Sequence, residues 1–337
     1  TKVICARACV KVEGSDETIA TGWGETPLSV GWVGPAAIDY DERAEALEAF
    51  TSEITVALKT FDVIGHALEI GHAFIETRLN ELQAAFNAER TGDHALPHLA
   101  ALVCFSPLDI AIHDAFGNLY QRPIYETYNS EFLSKDLSHF LEPKAAFEGK
   151  YPSDFLVPAP RNLPVWHLVG GLDPISESEL TGNEPDDTYP VLLRDWIKRD
   201  GLNCLKVKLR GDNSDWDYDR LVTVGNIALE MNVEWLTTDF NCAVTEPDYV
   251  NQILDRLKDE HARIYQSILY VEQPFPYDIE SNQIDVRSVS ARKPLFMDES
   301  AHDWKLVRLG RNLGWTGVAL KTCKTQTGAL LSLCWAK

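Results

Sequence analysis

From Leu163 to Lys321 short apolar runs alternate with longer amphipathic stretches. The runs are LPVWHLV, CLKVKL, EWLTTD, ILYVE, PLFMD and GVALK. Between them lie YPVLLRDWIKRDG, YDRLVTVGNIALEMN, DYVNQILDRLKDEH and HDWKLVRLGRNLG, whose apolar residues recur at helical spacing. Strand alternating with helix predicts a parallel sheet with right-handed crossovers. The repeat length suits a (β/α) barrel of the TIM type, because no Gly-rich phosphate loop follows the first strand. Only six of the usual eight units can be read. The barrel is therefore expected to be modified, either lacking its last strands or closed by residues outside this chain.

Ahead of this region the pattern differs. Val3–Val12 and Thr18–Glu25 have strand character and are separated by EGSDET, which predicts a hairpin or meander. Helical periodicity follows in DERAEALEAFTSEITVALKTF, in HALEIGHAFIETRLNELQAAFNAE and in PHLAALVCFSPLDIAIHDAFGNLY. Strands first and helices after predict a small α+β domain over residues 1–128. Residues 129–162, rich in Pro, Ser and mixed charge, read as a linker with an insertion, and 163–337 as the barrel.

The 337 residues are 45% hydrophobic and 24% charged, an ordinary globular balance. A formal net charge of −20 argues against nucleic acid or an anionic membrane as main partner, and any anion site must be locally positive. No run of about eighteen apolar residues is present, so no transmembrane helix is expected. The first residues, TKVICARACVKVEG, read as a strand and not as a signal peptide. Seven scattered cysteines without a CxxC pair suggest buried thiols in a reduced, cytoplasmic protein.

Charge at the strand ends carries the chemistry. In CLKVKL, Leu205, Val207 and Leu209 face one side, so Lys206 and Lys208 face the other. The next four runs end in Asp239, Glu272, Asp298 and Lys321. In a parallel barrel all strand C-termini open onto one mouth. Three carboxylates there repel each other unless a cation lies between them. Oxygen ligands without His or Cys suit a hard ion, Mg²⁺ ahead of Ca²⁺ or Mn²⁺. Any one strand-end acid serves equally well as a helix N-cap or a solvated loop residue, and Lys208 alone as a rim ion-pair partner. The set in register is what points to function.

These motifs resemble the enolase superfamily, in particular the muconate-lactonizing branch of the mandelate racemase-like enzymes. Lys206-Val207-Lys208 is similar to the branch's KxK motif. Asp239-Phe240-Asn241, Glu272-Gln273-Pro274 and Asp298-Glu299-Ser300 are similar to its DxN, EQP and DES metal-ligand motifs, and Lys321 to its sixth-strand lysine. Gly22–Glu25 and Leu108–Tyr125 resemble its capping domain. The chain departs from the family where Thr325-Gln326-Thr327-Gly328 replaces the usual Gly-Gly, and the stretch before Leu163 is long.

The resemblance implies an isomerase that removes the proton α to a small-molecule carboxylate, giving an enediolate held by Mg²⁺, with Mn²⁺ as second choice. Racemisation, epimerisation and cycloisomerisation are all open to it. The alternatives are syn-dehydration in the manner of o-succinylbenzoate synthase, or a barrel that binds metal and ligand without turnover. Asp239, Glu272 and Asp298 are the implied metal ligands. Lys208 is the implied base, Lys206 its tuner and Lys321 the partner on the opposite face. Two adjacent ammonium groups resist double protonation, which lowers the pKa of the pair. Lys324 is a weaker alternative to Lys321, expected to face away from it. Trp23 is expected to cover the mouth or anchor domain packing, and Asn241 to support the metal site or cap a turn. Cys242, Cys323, His167 and His302 are read as structural, and homo-oligomeric assembly is a family-level expectation.

Overall fold

The computed structural model describes residues 3–34 and 37–337. The chain divides into two compact units. One comprises Thr1–Pro158, His302–Trp304 and Leu320–Lys337, the other Ala159–Ala301 and Lys305–Ala319.

In the first unit β1 (Cys5–Glu13) and β2 (Ile19–Pro27) form the expected antiparallel hairpin, with Cys5 opposite Pro27 and Glu13 opposite Ile19. The helices α1 (Tyr40–Leu58), α2 (Ala67–Ala73), α3 (Asn80–Phe86) and α4 (His98–Leu119) follow. GWGE is a packing motif. Alternation turns Gly22 and Gly24 toward α4 and Trp23 away from it. A Cβ on Gly22 would enter the backbone of Ala111 and Ala115, and one on Gly24 the carbonyl of Pro107. The hairpin lies flat on the helix because these two positions carry no side chain.

Helix α4 is apolar all round, which marks a buried helix. By length and composition Gly92–Leu119 is long and apolar enough to cross a membrane, contrary to the expectation that no segment is, and 78% of its apolar window is buried inside the protein. It also carries two buried titratable groups, Asp109 and His113. Their partners come from the far end of the chain, on α9 (Gln326–Ala336). Gln326 Nε2 donates to the Tyr128 hydroxyl at 2.7 Å, and Tyr128 donates to His113 Nδ1 at 2.8 Å. His113 Nε2 then donates to Thr327 Oγ1 at 2.9 Å, and Thr327 donates to Asp109 Oδ1 at 2.7 Å. This is the one direction of donation that leaves Asp109 ionised and His113 neutral. Burial lowers the His113 pKa to about 3 and raises that of Asp109 to about 6. A Cβ on Gly71 of α2 would strike Thr327 Oγ1 and Asp109 Oδ1, so glycine there makes room for the network.

The network accounts for a difference from the sequence reading. The sequence pattern places the C-terminal segment in the barrel within 163–337, whereas Leu320–Lys337 belongs to the first unit. Residues 129–158, assigned to a linker, also lie in that unit. Leu133, Leu137, Phe140, Leu141 and Phe147 bury their side chains with Leu68, Tyr128, Leu330 and Leu331. Short 3₁₀ turns, Leu137–His139 and Pro152–Asp154, lack the periodicity that would have revealed this packing.

The second unit is a six-stranded parallel sheet in sequence order: β3 (His167–Val169), β4 (Cys204–Lys208), β5 (Trp235–Asp239), β6 (Ile268–Glu272), β7 (Leu295–Met297) and β8 (Gly317–Val318). Helices α5 (Leu193–Asp200), α6 (Ser214–Glu230) and α7 (Pro247–Glu260) join successive strands, and α8 (Trp304–Leu313) precedes β8. Consecutive parallel strands with helical crossovers are (β/α)-barrel construction. Among the described residues β3 and β8 pair with no further strand on their outer sides. Strand β8 is shorter than expected. It stops at Val318, and Lys321 instead caps a 3₁₀ turn, Thr322–Lys324, in the first unit.

Candidate active site

Strand β4 shows why two lysines fit an otherwise apolar run. Leu205 and Val207 are fully buried on one face, while the side chains of Lys206 and Lys208 are 17% and 24% exposed on the other. Lys208 pairs across the ladder with Asp239 of β5, and Asp239 with Glu272 of β6. The second match depends on an irregularity. Leu236 pairs with Ile268 and Thr238 with Val271, so β6 carries one extra residue between them. Without that bulge Asp239 would lie beside Val271.

The side chains close on one another. Lys206 Nζ lies 2.5 Å from Glu272 Oε1 and 3.0 Å from Asp239 Oδ2. Lys208 Nζ lies 2.5 Å from the same Asp239 oxygen and donates to Asn241 Oδ1 at 2.7 Å. Asn241 is itself fixed, its Nδ2 donating to the Leu209 carbonyl at 2.9 Å and its backbone N–H to Asp239 Oδ1 at 2.9 Å. Asn241 and Cys242 are both left-handed, at φ 53° and 61°. Two consecutive non-glycine residues in that region are costly, and such strain gathers at functional loops.

Burial lowers the pKa of Lys206, but Asp239 and Glu272 more than offset this and hold it above the ordinary lysine value. The expected mutual lowering of the lysine pair is therefore not what Lys206 shows. Its ammonium lies against two carboxylates, whose attraction exceeds the repulsion from Lys208. Glu272 is shifted upward, first by burial and then by Asp239, with Lys206 opposing and Asp298 adding to the rise. Cys242 is likewise pushed up by burial and then by Glu299, which makes it a poor nucleophile.

Asp298, just past β7, is buried at 1% exposure. Sequence reasoning overlooked the residue that sets its position. Gln273 Oε1 accepts from Asp298 N at 2.8 Å, Ser300 N at 3.2 Å and Ser300 Oγ at 2.7 Å, and Gln273 Nε2 donates to Phe275 O at 3.0 Å. One buried amide thus ties the loop after β6 to the loop after β7. The signal was the middle letter of Glu272-Gln273-Pro274.

The donor set of Asp239, Glu272 and Asp298 has the chemistry of a hard divalent cation site: it is all oxygen and all buried, and Asp239 and Asp298 add to the rise that burial imposes on Glu272. Among the described residues no three His, Cys, Asp or Glu side chains converge on one point as metal ligands. Asp239 and Glu272 close instead on the Lys206 ammonium.

The other candidates are distributed as follows. Lys321 and Trp23 belong to the first unit. Lys321 Nζ lies 4.9 Å and Lys324 Nζ 5.9 Å from the centroid of the Trp32 ring. The expectation that Lys324 faces away from Lys321 assumed a strand. Lys321 is instead the extended residue ahead of a 3₁₀ turn and Lys324 that turn's last residue, its backbone N–H donating to the Lys321 carbonyl at 3.2 Å, and both lysines reach one ring. Trp23 is 57% exposed on the outer face of the hairpin, so its indole does not anchor packing against α4, although its backbone N–H donates to Asp114 Oδ2 at 2.8 Å. His167 is partly buried beside Trp196, at 5.2 Å between rings, and burial lowers its pKa. Cys323 is partly buried, and His302 lies in the first unit beside His98, ring centroids 5.8 Å apart.

Solved structures share this architecture. A mandelate racemase/muconate lactonizing protein from Herpetosiphon aurantiacus matches over 98% of this chain and 71% of its own, with 18% identity and a TM-score of 0.53. The muconate lactonizing enzyme from Pseudomonas putida matches over the same shares, with 16% identity and a TM-score of 0.54. Muconate cycloisomerase from Pseudomonas fluorescens matches over 99% of this chain and 75% of its own, with 14% identity and a TM-score of 0.55. The chain has the muconate lactonizing enzyme fold. No family model and no curated protein matches the sequence. In this muconate-lactonizing fold the ends of β4, β5 and β6 carry the lysine and carboxylate row, at the C-terminal edge where barrel sites are built.

Proposed function

We propose that the row at the ends of β4–β6 removes the proton α to the carboxylate of a small organic substrate, as the first step of a racemisation, epimerisation or cycloisomerisation. The reading rests on one observation: Lys206, Lys208, Asp239 and Glu272 lie in register on three adjacent strands and touch one another, on the fold just described. Lys208 is the base. It is the more exposed of the two lysines, and Asn241 orients its Nζ. Lys206 is the fixed counter-charge that keeps two buried carboxylates together. Gln273 holds the backbone of Asp298 in place. A Mg²⁺ or Mn²⁺ ion held by Asp239, Glu272 and Asp298 would supply the positive charge that makes so weak an α-proton acidic.

The test is solvent deuterium incorporation into a panel of carboxylates, read by mass spectrometry. Lys208→Ala should lower exchange by about 10²–10⁴-fold while Mg²⁺ binding, read by calorimetry, is kept. Asp239→Asn should weaken the metal first. Unchanged exchange in Lys208→Ala removes the reading of Lys208 as the base, and carboxylate binding without exchange in the unmodified protein makes the chain a binder.

A further inference from the structure

The two lysines of β4 are not placed alike. Lys208 lies directly beside Asp239 in the ladder, whereas Lys206 lies beside Thr237, one inward-facing position earlier. The Lys206 ammonium nevertheless reaches Glu272 on β6, two strands away and about 10 Å across the sheet. Its four-carbon stem spans that gap and loses rotamer freedom in doing so. The carboxylates, and not the strand, decide where this charge sits.

From Glu272 through Lys206 and Asp239 to Lys208 the contacts alternate in sign. Lys206 Nζ meets Glu272 Oε1 at 2.5 Å and Asp239 Oδ2 at 3.0 Å. Asp239 Oδ2 also meets Lys208 Nζ, and Asp239 Oδ1 accepts the Asn241 N–H at 2.9 Å. Asp239 is fully buried and Glu272 is 2% exposed, so the lysines, and not water, neutralise them. An ammonium bonded to Glu272 Oε1 and Asp239 Oδ2 takes up the lone pairs that a hard cation draws on. Two cations crowded onto the same two oxygens also repel each other. At these atoms the ammonium and a divalent ion are mutually exclusive partners. Lys206, 17% exposed on a flexible stem, can withdraw toward solvent; the buried carboxylates cannot.

We propose that Lys206 is a displaceable internal counter-ion. It holds Asp239 and Glu272 together and gives up both contacts when a divalent cation binds them, so it tunes the metal affinity of the site as well as its stability. This rests on the metal assignment given above and adds what sets its strength.

The test is Mg²⁺ titration by calorimetry into chelator-treated full chain, with thermal melts in chelator and in Mg²⁺. Lys206→Met keeps an unbranched stem and removes the charge. It should bind Mg²⁺ about 10–10²-fold more tightly than the parent, melt lower in chelator and gain more from added Mg²⁺. Tighter metal binding in a less stable protein is not what a residue that merely braces the strands would give. Lys206→Arg, whose guanidinium grips two carboxylates through more N–H bonds, should bind Mg²⁺ more weakly than the parent. The proposal is overturned if Lys206→Met binds Mg²⁺ no more tightly than the parent, or if Lys206→Arg binds it as tightly or better. Should Lys206→Met fail to fold in either condition, the Lys206→Arg titration decides. Absence of Mg²⁺ binding in the parent and both variants would remove the metal assignment itself, whereas binding that Lys206 does not govern would remove this inference alone.

Discussion

Replacing Thr327 with valine isolates what the buried network in the first unit contributes. Valine matches threonine in shape and keeps the backbone N–H that donates to Asp109 Oδ2 at 2.9 Å. It removes the hydroxyl that donates to Asp109 Oδ1 and accepts from His113 Nε2. No cavity forms, so the cost is polar. A fully buried carboxylate oxygen and a fully buried imidazole N–H each lose a partner that water cannot replace. A stranded group of this kind costs about 1–3 kcal/mol, so the pair should cost about 2–5 kcal/mol. At about 1.4 °C per kcal/mol for a protein of 337 residues, the melting temperature should fall by roughly 3–7 °C. Urea titration followed by circular dichroism should show a lower midpoint with an unchanged slope. Thr327→Ser, which keeps the hydroxyl, should lose about 1 kcal/mol or less. A Thr327→Val protein within about 0.5 kcal/mol of the parent would refute the reasoning: the hydroxyl would not be what fastens α9 to α4.

Two further outcomes follow from the same unit. Burial lowers the pKa of His66 and His113 to about 3, with His113 adding to the shift on His66, so both contribute stability that is present above the unfolded value near 6.5 and lost on acidification. Asp109, raised to about 6, acts in the opposite sense between the unfolded value of 3.8 and 6. Two histidines against one acid leave a net loss of roughly 3–5 kcal/mol from pH 6.5 to 4, and urea midpoints that stay flat over that range would contradict it. Gly24→Ala should destabilise by about 1–3 kcal/mol or more, because its Cβ meets the Pro107 carbonyl, whereas Gly31→Ala, which meets no atom within 4 Å, should be neutral or slightly stabilising in the same melt.

Much of the second unit was legible because its signals are local. Alternation in CLKVKL placed Lys206 and Lys208 on one face, and the acid at the end of each later run gave Asp239, Glu272 and Asp298 their strand-end positions. The Gly-Trp-Gly spacing likewise carries the flat face of the hairpin. Lys321 was misplaced because GVALK has strand composition, yet only Gly317–Val318 pairs with β7. Composition reports what a segment tolerates, and pairing depends on a neighbour.

The sequence by itself determined which residues could carry chemistry and which face of each strand would present them, because a strand's two-residue period is written in the order of its side chains. Tertiary structure decided the rest. The extra residue in β6 that brings Glu272 beside Asp239 is a relation between two strands. The bond from Thr327 to Asp109 joins residues 218 positions apart and draws the C-terminal helix into the first unit. Such long-range matches depend on which surfaces can be buried together once the whole chain has closed, and no local pattern encodes that.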